Sequence, residues 1–171
     1  TTGSGNTAVG KDAMKAVTTA TDGVAVGWAA LDACTTGVSN SAVGYNALGA
    51  VTTGGSNTAM GFVALQLATG TGNVAIGANS SDALTTGATN TSVGTGSLGA
   101  CTTGGNNTAI GSSALAANTT ASGNVAVGWD SLLSNTTGTG HTAVGYQALA
   151  TVTTVNDNTA VGYQALTANT T

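Results

Sequence analysis

The chain has 171 residues, of which only 5% are charged, and its net charge is −4. Typical globular proteins carry ~25% charged residues, so this composition is far from average. Lys11 and Lys15 are the only lysine or arginine residues in the sequence. Nucleic-acid binding needs a basic footprint, so we expect no nucleic-acid partner. There is no apolar run of the ~18 residues that a membrane span needs, so we expect no membrane insertion either.

A short phrase recurs along the entire chain. Asn158-Thr159-Ala160-Val161-Gly162-Tyr163-Gln164-Ala165-Leu166 repeats His141 to Leu149 almost letter for letter, and looser copies extend back to Asn6. The glycine that follows the Thr-Ala-Val triplet anchors ten repeats, spaced by 17 residues except for one step of 16: Gly10, Gly27, Gly44, Gly61, Gly77, Gly94, Gly111, Gly128, Gly145 and Gly162. Ten near-equal steps indicate one supersecondary unit stacked on itself.

Each repeat opens with an asparagine, and a predicted strand follows it. The opening positions, apart from Gly23 and His141, are Asn6, Asn40, Asn57, Asn73, Asn90, Asn107, Asn124 and Asn158. Amides stacked once per turn can form a hydrogen-bonded ladder that closes a corner of the backbone. We predict that role for them, and a structural role for His141 in the same slot.

The predicted strand has two unlike faces. Its outer positions hold Thr, Ser or Val and then Val, Ile or Met60, while the position between them is Ala except at Ser92. Since a strand alternates faces, Ala and the following Gly share one side. A face without bulk lets another backbone approach closely, so we predict that this Ala/Gly face packs against partner chains around a threefold axis. The alternative is that it faces inward in a very thin coil.

The second half of each repeat begins with a column of leucines. Leu or Met stands four residues after the anchor glycine in nine repeats, whereas the fifth has Ser81 and carries Leu84 three residues later. A helix of at most two turns would fit here, but such short helices are marginal. We therefore predict a second short strand. A threonine pair follows in nine repeats, from Thr18–Thr19 to Thr170–Thr171, and then a glycine-rich turn.

The two cysteines occupy one column of small apolar residues. Cys34 and Cys101 each lie seven residues after an anchor glycine, four repeats apart. At ~4.8 Å per stacked strand, four rungs separate them by ~19 Å. A disulfide needs Cα atoms within ~7 Å, which excludes an intrachain bridge and leaves the redox compartment undetermined.

All six aromatic residues fall directly after an anchor glycine, in two runs of three consecutive repeats: Trp28, Tyr45, Phe62, Trp129, Tyr146 and Tyr163. Two aromatic stripes are therefore expected. Exposed ring faces could dock sugars or a protein, whereas stacked rings would cover the edge of the core or a subunit boundary. We favour the structural interpretation.

The phrase Asn-Thr-Ala-Val-Gly followed by x-x-Ala-Leu resembles the head repeats of trimeric autotransporter adhesins and the repeat arrays of phage tail fibres. The resemblance covers the whole chain, although the adhesin repeat is slightly shorter and has Ile or Val where this chain has Ala160. It implies a parallel β-roll, three chains side by side, displayed on a surface for attachment. We accordingly predict an all-β parallel β-solenoid of ten 17-residue coils, forming a side-by-side homotrimer, with residues 1–171 as a single array cut from a longer fibre.

The functional prediction is a non-catalytic structural or adhesive segment of an extracellular, cell-surface or virion-surface fibre, without cofactor or metal. Its expected partners are copies of itself and a host-surface glycan or protein. The chain has one histidine and no glutamate, which makes a nucleophile–base–orienter set improbable. Two alternatives stay open: a self-assembling filament, and an ice-binding solenoid that uses the threonine columns. Against the latter, adjacent threonines of a strand point to opposite faces.

Overall fold

The computed structural model describes residues 2–169 and shows ten three-residue strands and no helix among them. The strands form one parallel sheet in chain order. They are β1 Thr7–Val9, β2 Val24–Val26, β3 Ser41–Val43, β4 Thr58–Met60, β5 Val74–Ile76, β6 Thr91–Val93, β7 Thr108–Ile110, β8 Val125–Val127, β9 Thr142–Val144 and β10 Thr159–Val161. The predicted all-β parallel solenoid is confirmed.

Each coil contributes one strand, and like residues lie on neighbouring rungs. Val9 pairs with Val26, and Val26 with Val43. The step from β4 to β5 pairs Thr58 with Val74, an offset of 16 residues that matches the missing residue in the Thr69–Gly70 turn. The turn absorbs the deletion, so the sheet keeps its register. We number the coils by their strands; coil 9 opens at His141 and coil 10 at Asn158.

The alanine side of the strand, which was predicted to face partner chains, faces the interior of the coil. From β2 to β10, the central alanine, or Ser92, is buried, while the residues on either side of it are exposed or half-buried. Ala25, Ala42 and Ala59, for example, are fully buried within this single chain. The prediction that the Ala/Gly face packs on partner chains is therefore wrong. The coil is so thin that the inner side of the strand holds only alanine or, at Ser92, serine.

The anchor glycines adopt a conformation and a spacing that only glycine tolerates. Gly94 has a φ of +134°, and a Cβ placed on it would lie 2.5 Å from the carbonyl oxygen of Gly111 on the next coil. The same close approach to the following coil recurs at Gly27, Gly44 and Gly128. The glycine column thus lets consecutive coils stack where the chain turns away from the sheet.

The segment after the glycine is a run of turns, so the predicted second strand is wrong. Its second and fourth residues have left-handed backbone conformations, as at Asn46 (φ 51°) and Leu48 (φ 52°). The segment is still laddered between coils, because Leu48 N–H donates to Ala64 O at 3.1 Å and Asn46 N–H donates to Trp28 O at 2.8 Å. The left-handed backbone conformation of the leucine itself directs its side chain into the core.

Leucines, alanines and one column of small residues fill the interior. The fully buried leucines are Leu31, Leu48, Leu65, Leu84, Leu98, Leu115, Leu132 and Leu149. Cys34 and Cys101 are free and fully buried, and they do not form a disulfide with each other. Burial raises the pKa of both thiols, which makes them poor nucleophiles.

Candidate functional surface

The outward side of the sheet is an exposed apolar face, which we call the strand face. It consists of the first and third residues of β1 to β10. The third position is apolar throughout, and its exposed members are Val9, Val26, Val43, Met60, Ile76, Ile110 and Val161. The first position is Thr or Ser on seven strands and Val on the other three. No charged residue belongs to the strand face.

The aromatic residues continue this exposed surface two residues beyond the third strand position. In coils 2–4, Trp28, Tyr45 and Phe62 stack with ring centroids 4.7 and 5.2 Å apart and interplanar angles of 13° and 19°. In coils 8–10, Trp129 and Tyr146 lie 4.9 Å apart at 43°, and Tyr146 and Tyr163 lie 5.1 Å apart at 7°. The spacings match the ~4.8 Å between strands.

Stacking limits what the two aromatic ladders can bind. Each inner ring, Tyr45 or Tyr146, has a neighbouring ring on both sides. A sugar docks on an aromatic ring through the ring face, and here the inner rings have no free face, while each end ring has a ring neighbour on one side only. The ring edges remain toward solvent, since all six side chains are exposed. This geometry favours a structural role, in which the rings cover the edge of the core or a subunit boundary, over the binding of sugars on a row of ring faces.

The opening asparagines form a buried ladder along one corner of the solenoid. The side-chain oxygen of Asn73 accepts the N–H of Asn90 at 3.0 Å, and its amide donates to Gly87 O at 2.9 Å. The same pair of bonds recurs at Asn57, Asn90 and Asn107. Each of these amides therefore joins a coil to the next one and also closes the turn, whereas Asn158 in the last coil is only half-buried and its amide donates to Asn156 O at 3.1 Å.

His141 takes the place of an asparagine in this ladder. Its side chain is 1% exposed, and its Nδ1 accepts the N–H of Asn158 at 3.2 Å. Its own N–H donates to the Asn124 side-chain oxygen at 2.9 Å. Burial lowers the pKa of the His141 imidazole, and the nearby Val155 carbonyl and the Asp157 carboxylate partly offset that effect.

The threonine pairs form a second ladder, on the turns. The hydroxyl of the first threonine donates to the carbonyl of the first threonine on the next coil, as from Thr102 to Thr119 at 3.1 Å and from Thr119 to Thr136 at 3.1 Å. These hydroxyls are thus engaged with the backbone, whereas the second threonine of each described pair, as at Thr103 and Thr120, is exposed. The last pair, Thr170–Thr171, lies outside the described residues.

A buried serine cluster in coils 5 and 6 was not anticipated from the sequence. Ser80, Ser81, Ser92 and Ser97 are at most 1% exposed. The Ser92 hydroxyl lies 2.7 Å from that of Ser80 and 2.8 Å from that of Ser81, and Ser80 lies 3.0 Å from Ser97. The signal was present, because four serines replace Ala or Leu in core columns of two adjacent repeats.

Among residues 2–169 there is no pocket and no group of three His, Cys, Asp or Glu side chains placed to hold a metal ion. Lys15 and Asp12 form the one ion pair in that part of the chain, at 3.5 Å on the surface. The same residues contain no helix of the length and apolarity that crossing a membrane requires.

Comparison of the chain with protein-family models, with curated proteins and with solved structures gave no match. The repeat geometry and the exposed strand face are therefore the observations from which a function can be argued.

Proposed function

We propose that this chain is a non-catalytic structural and adhesive segment of a fibre on a cell or virion surface, in which copies pack side by side through the strand face. The observation that carries the proposal is the strand face itself. It is apolar at one position in every coil, it bears no charge, and it extends over all ten strands of the sheet.

An apolar face of this extent favours a protein partner. Soluble monomers seldom expose contiguous apolar patches beyond a few hundred Å², and interface cores are depleted of charged residues. Val9, Val43, Met60, Ile76 and Ile110 are exposed members of the single file formed by the third strand position. Packing that file against another protein would remove a whole column of apolar side chains from water.

A second copy is the partner whose geometry fits best. Both surfaces would repeat every ~4.8 Å, so two parallel chains could match rung for rung along their full length. We propose three copies around a common axis, each turning its strand face inward. The aromatic ladders would then lie near the subunit boundary, which agrees with their exposed ring edges and mutually packed faces.

The non-catalytic part of the proposal has its own support. The ring of the one histidine is buried in the corner ladder, and both thiols are buried with raised pKa values. A general base or a nucleophile needs access to substrate, and none of these groups has it.

The test compares the mass in solution of the wild type with that of two lysine variants. Ile110, in the middle of the strand face, is 39% exposed, and Leu67, on a turn away from it, is 47% exposed. Ile110→Lys should dissociate the assembly, because it buries an unpaired charge at the interface. Leu67→Lys is the matched control and should leave the mass unchanged. A wild-type monomer at micromolar concentration would refute the interface.

Electron microscopy of the same sample distinguishes a closed trimer from the unlimited growth of a filament.

One observation favours ice binding as a second candidate. The first threonine of a pair, such as Thr102, donates its hydroxyl to the backbone of the next coil. The strand face, however, presents Thr–x–Val on four rungs and Thr–x–Met or Thr–x–Ile on two more, which is an uncharged array of hydroxyl and apolar groups. If ice is the ligand, the wild type should show thermal hysteresis as a monomer, and Thr108→Lys should abolish it. A trimer without hysteresis leaves the fibre proposal standing alone.

A further inference from the structure

The junction between coils 9 and 10 differs from the rest of the asparagine ladder. At Asn57, Asn73 and Asn90 the linking acceptor is an amide oxygen, which does not titrate in the physiological range. Between coils 9 and 10 the acceptor is a ring nitrogen, Nδ1 of His141, at 3.2 Å from the N–H of Asn158.

The neutral imidazole reproduces the hydrogen bond that an asparagine amide oxygen accepts from the next coil. Because Nδ1 accepts from Asn158, the neutral ring carries its proton on Nε2. Nε2 is buried without a hydrogen-bond partner among the described residues. The amide of Asn124 donates to Gly138 O, fourteen residues later, and Val155 is the residue fourteen after His141. Nδ1 thus takes the role of the amide oxygen, whereas Nε2 lies on the side of the amide nitrogen without making its hydrogen bond.

Protonation would remove this match. An imidazolium carries a hydrogen on both nitrogens and accepts no hydrogen bond. The N–H of Asn158 would then face another N–H in a buried site, which costs free energy because both donors are left unpaired. An asparagine in the same slot would keep its acceptor at any pH between 4 and 8.

We propose that His141 makes the junction between coils 9 and 10 acid-labile, so that coil 10 detaches from the ladder on mild acidification while the coils before it stay closed. The inference concerns local opening and does not depend on the fibre proposal.

The surroundings of His141 agree with a response of the ring itself. Asp157, on the turn that precedes β10, is the charged group that acts on the ring, and its attraction favours protonation. The other groups that line this corner, Asn124, Asn135 and Gly138, are uncharged.

The sign of the effect follows from burial. The folded-state pKa of His141 lies below its ordinary value of 6.5. Well above pH 6.5 the ring is neutral in both the closed and the open state, so closure of coil 10 is fully stabilised. As the pH falls below 6.5, the open state takes up a proton first, and opening becomes more favourable until the folded-state pKa is reached.

The test is amide hydrogen exchange of the full chain between pH 7.5 and 4.5, corrected for the intrinsic dependence of exchange on pH. Protection at Asn158 and Gly162 should fall by up to about tenfold per pH unit below 6.5. Protection at Asn73 and Gly94 should stay constant. In His141→Asn, which restores the ladder residue, the acid response of coil 10 should vanish.

Two further variants identify the group that titrates. Asp157→Asn should keep the response, and Asn124→His should add a second acid-labile junction at the N–H of residue 141. The proposal fails if protection falls equally in every coil, if the response survives in His141→Asn, or if it vanishes in Asp157→Asn. It also fails if Asn158 is already unprotected at pH 7.5.

Discussion

At the scale of single residues, the anchor glycine shows how closely the coils approach each other. Gly94 and Gly162 have nearly the same φ, +134° and +129°. A Cβ on Gly94 would lie 2.5 Å from Gly111 O, whereas a Cβ on Gly162 would meet only Ala165 Cβ at 4.0 Å. The two positions therefore share the backbone strain and differ in the clash.

Gly94→Ala should consequently be more destabilising than Gly162→Ala, by roughly 1–3 kcal/mol. The measurement is the free energy of unfolding from denaturant titration of both variants. Equal losses of unfolding free energy in the two variants would mean that backbone strain alone requires glycine in this column. The close approach of the next coil would then play no part.

Residue-scale reasoning from sequence found the columns but assigned the wrong side of the strand to the interior. Larger apolar residues are normally the buried ones, so Val and Ile did not suggest the solvent side. The interior is instead filled from the turns, by leucines with left-handed backbones such as Leu48 (φ 52°). A left-handed leucine is rare enough that no sequence pattern predicts it.

At the scale of a coil, buried hydroxyls differ in whether they have a partner. Ser92 lies within hydrogen-bonding distance of Ser80 and Ser81, and it donates to Val74 O at 3.2 Å. Ser131 occupies the same column as Ser80, and its hydroxyl is buried without a partner. Ser80 and Ser131 both stand where most other repeats have alanine. The Ser80 hydroxyl has hydrogen-bond partners, whereas the Ser131 hydroxyl has none.

Ser92→Ala should cost about 1–2 kcal/mol, because it leaves the Ser81 hydroxyl unpaired in the core. Ser131→Ala should be neutral or stabilising, because it removes an unpaired hydroxyl. Thermal or denaturant unfolding of the two variants decides the point. If Ser92→Ala proves neutral, the serine cluster contributes nothing beyond filling space.

At the scale of the whole molecule, each coil contacts only its neighbours, so stability should be a sum of similar units. The strand pairs run from β1–β2 to β9–β10 without a crossover. Removing residues 95–111 joins Gly94 to Ser112 and keeps every column in phase. Removing residues 95–103 shortens one coil to less than a full turn.

The 17-residue deletion should therefore fold cooperatively, with roughly a tenth less unfolding free energy. The nine-residue deletion should lose cooperativity or split the array. Circular dichroism with denaturant titration measures both. Equivalent behaviour of the two deletions would show that phase does not matter.

The fold was more predictable at this scale than at the others. The spacing of Gly10, Gly27 and Gly44 defines the rungs without knowledge of any side-chain orientation. The strand register and the shortened fourth coil follow from it. The candidate surface was less predictable, because a period states which residues share a column and not which side of the chain that column faces.

The two aromatic ladders also give the molecule a pair of internal optical probes. Trp28 is stacked on Tyr45 in one half, and Trp129 lies beside Tyr146 in the other. Light absorbed by the tyrosines should be emitted by the adjacent indole, and only while the rungs remain closed. With either indole replaced by phenylalanine, fluorescence would report the melting of one half of the array at a time.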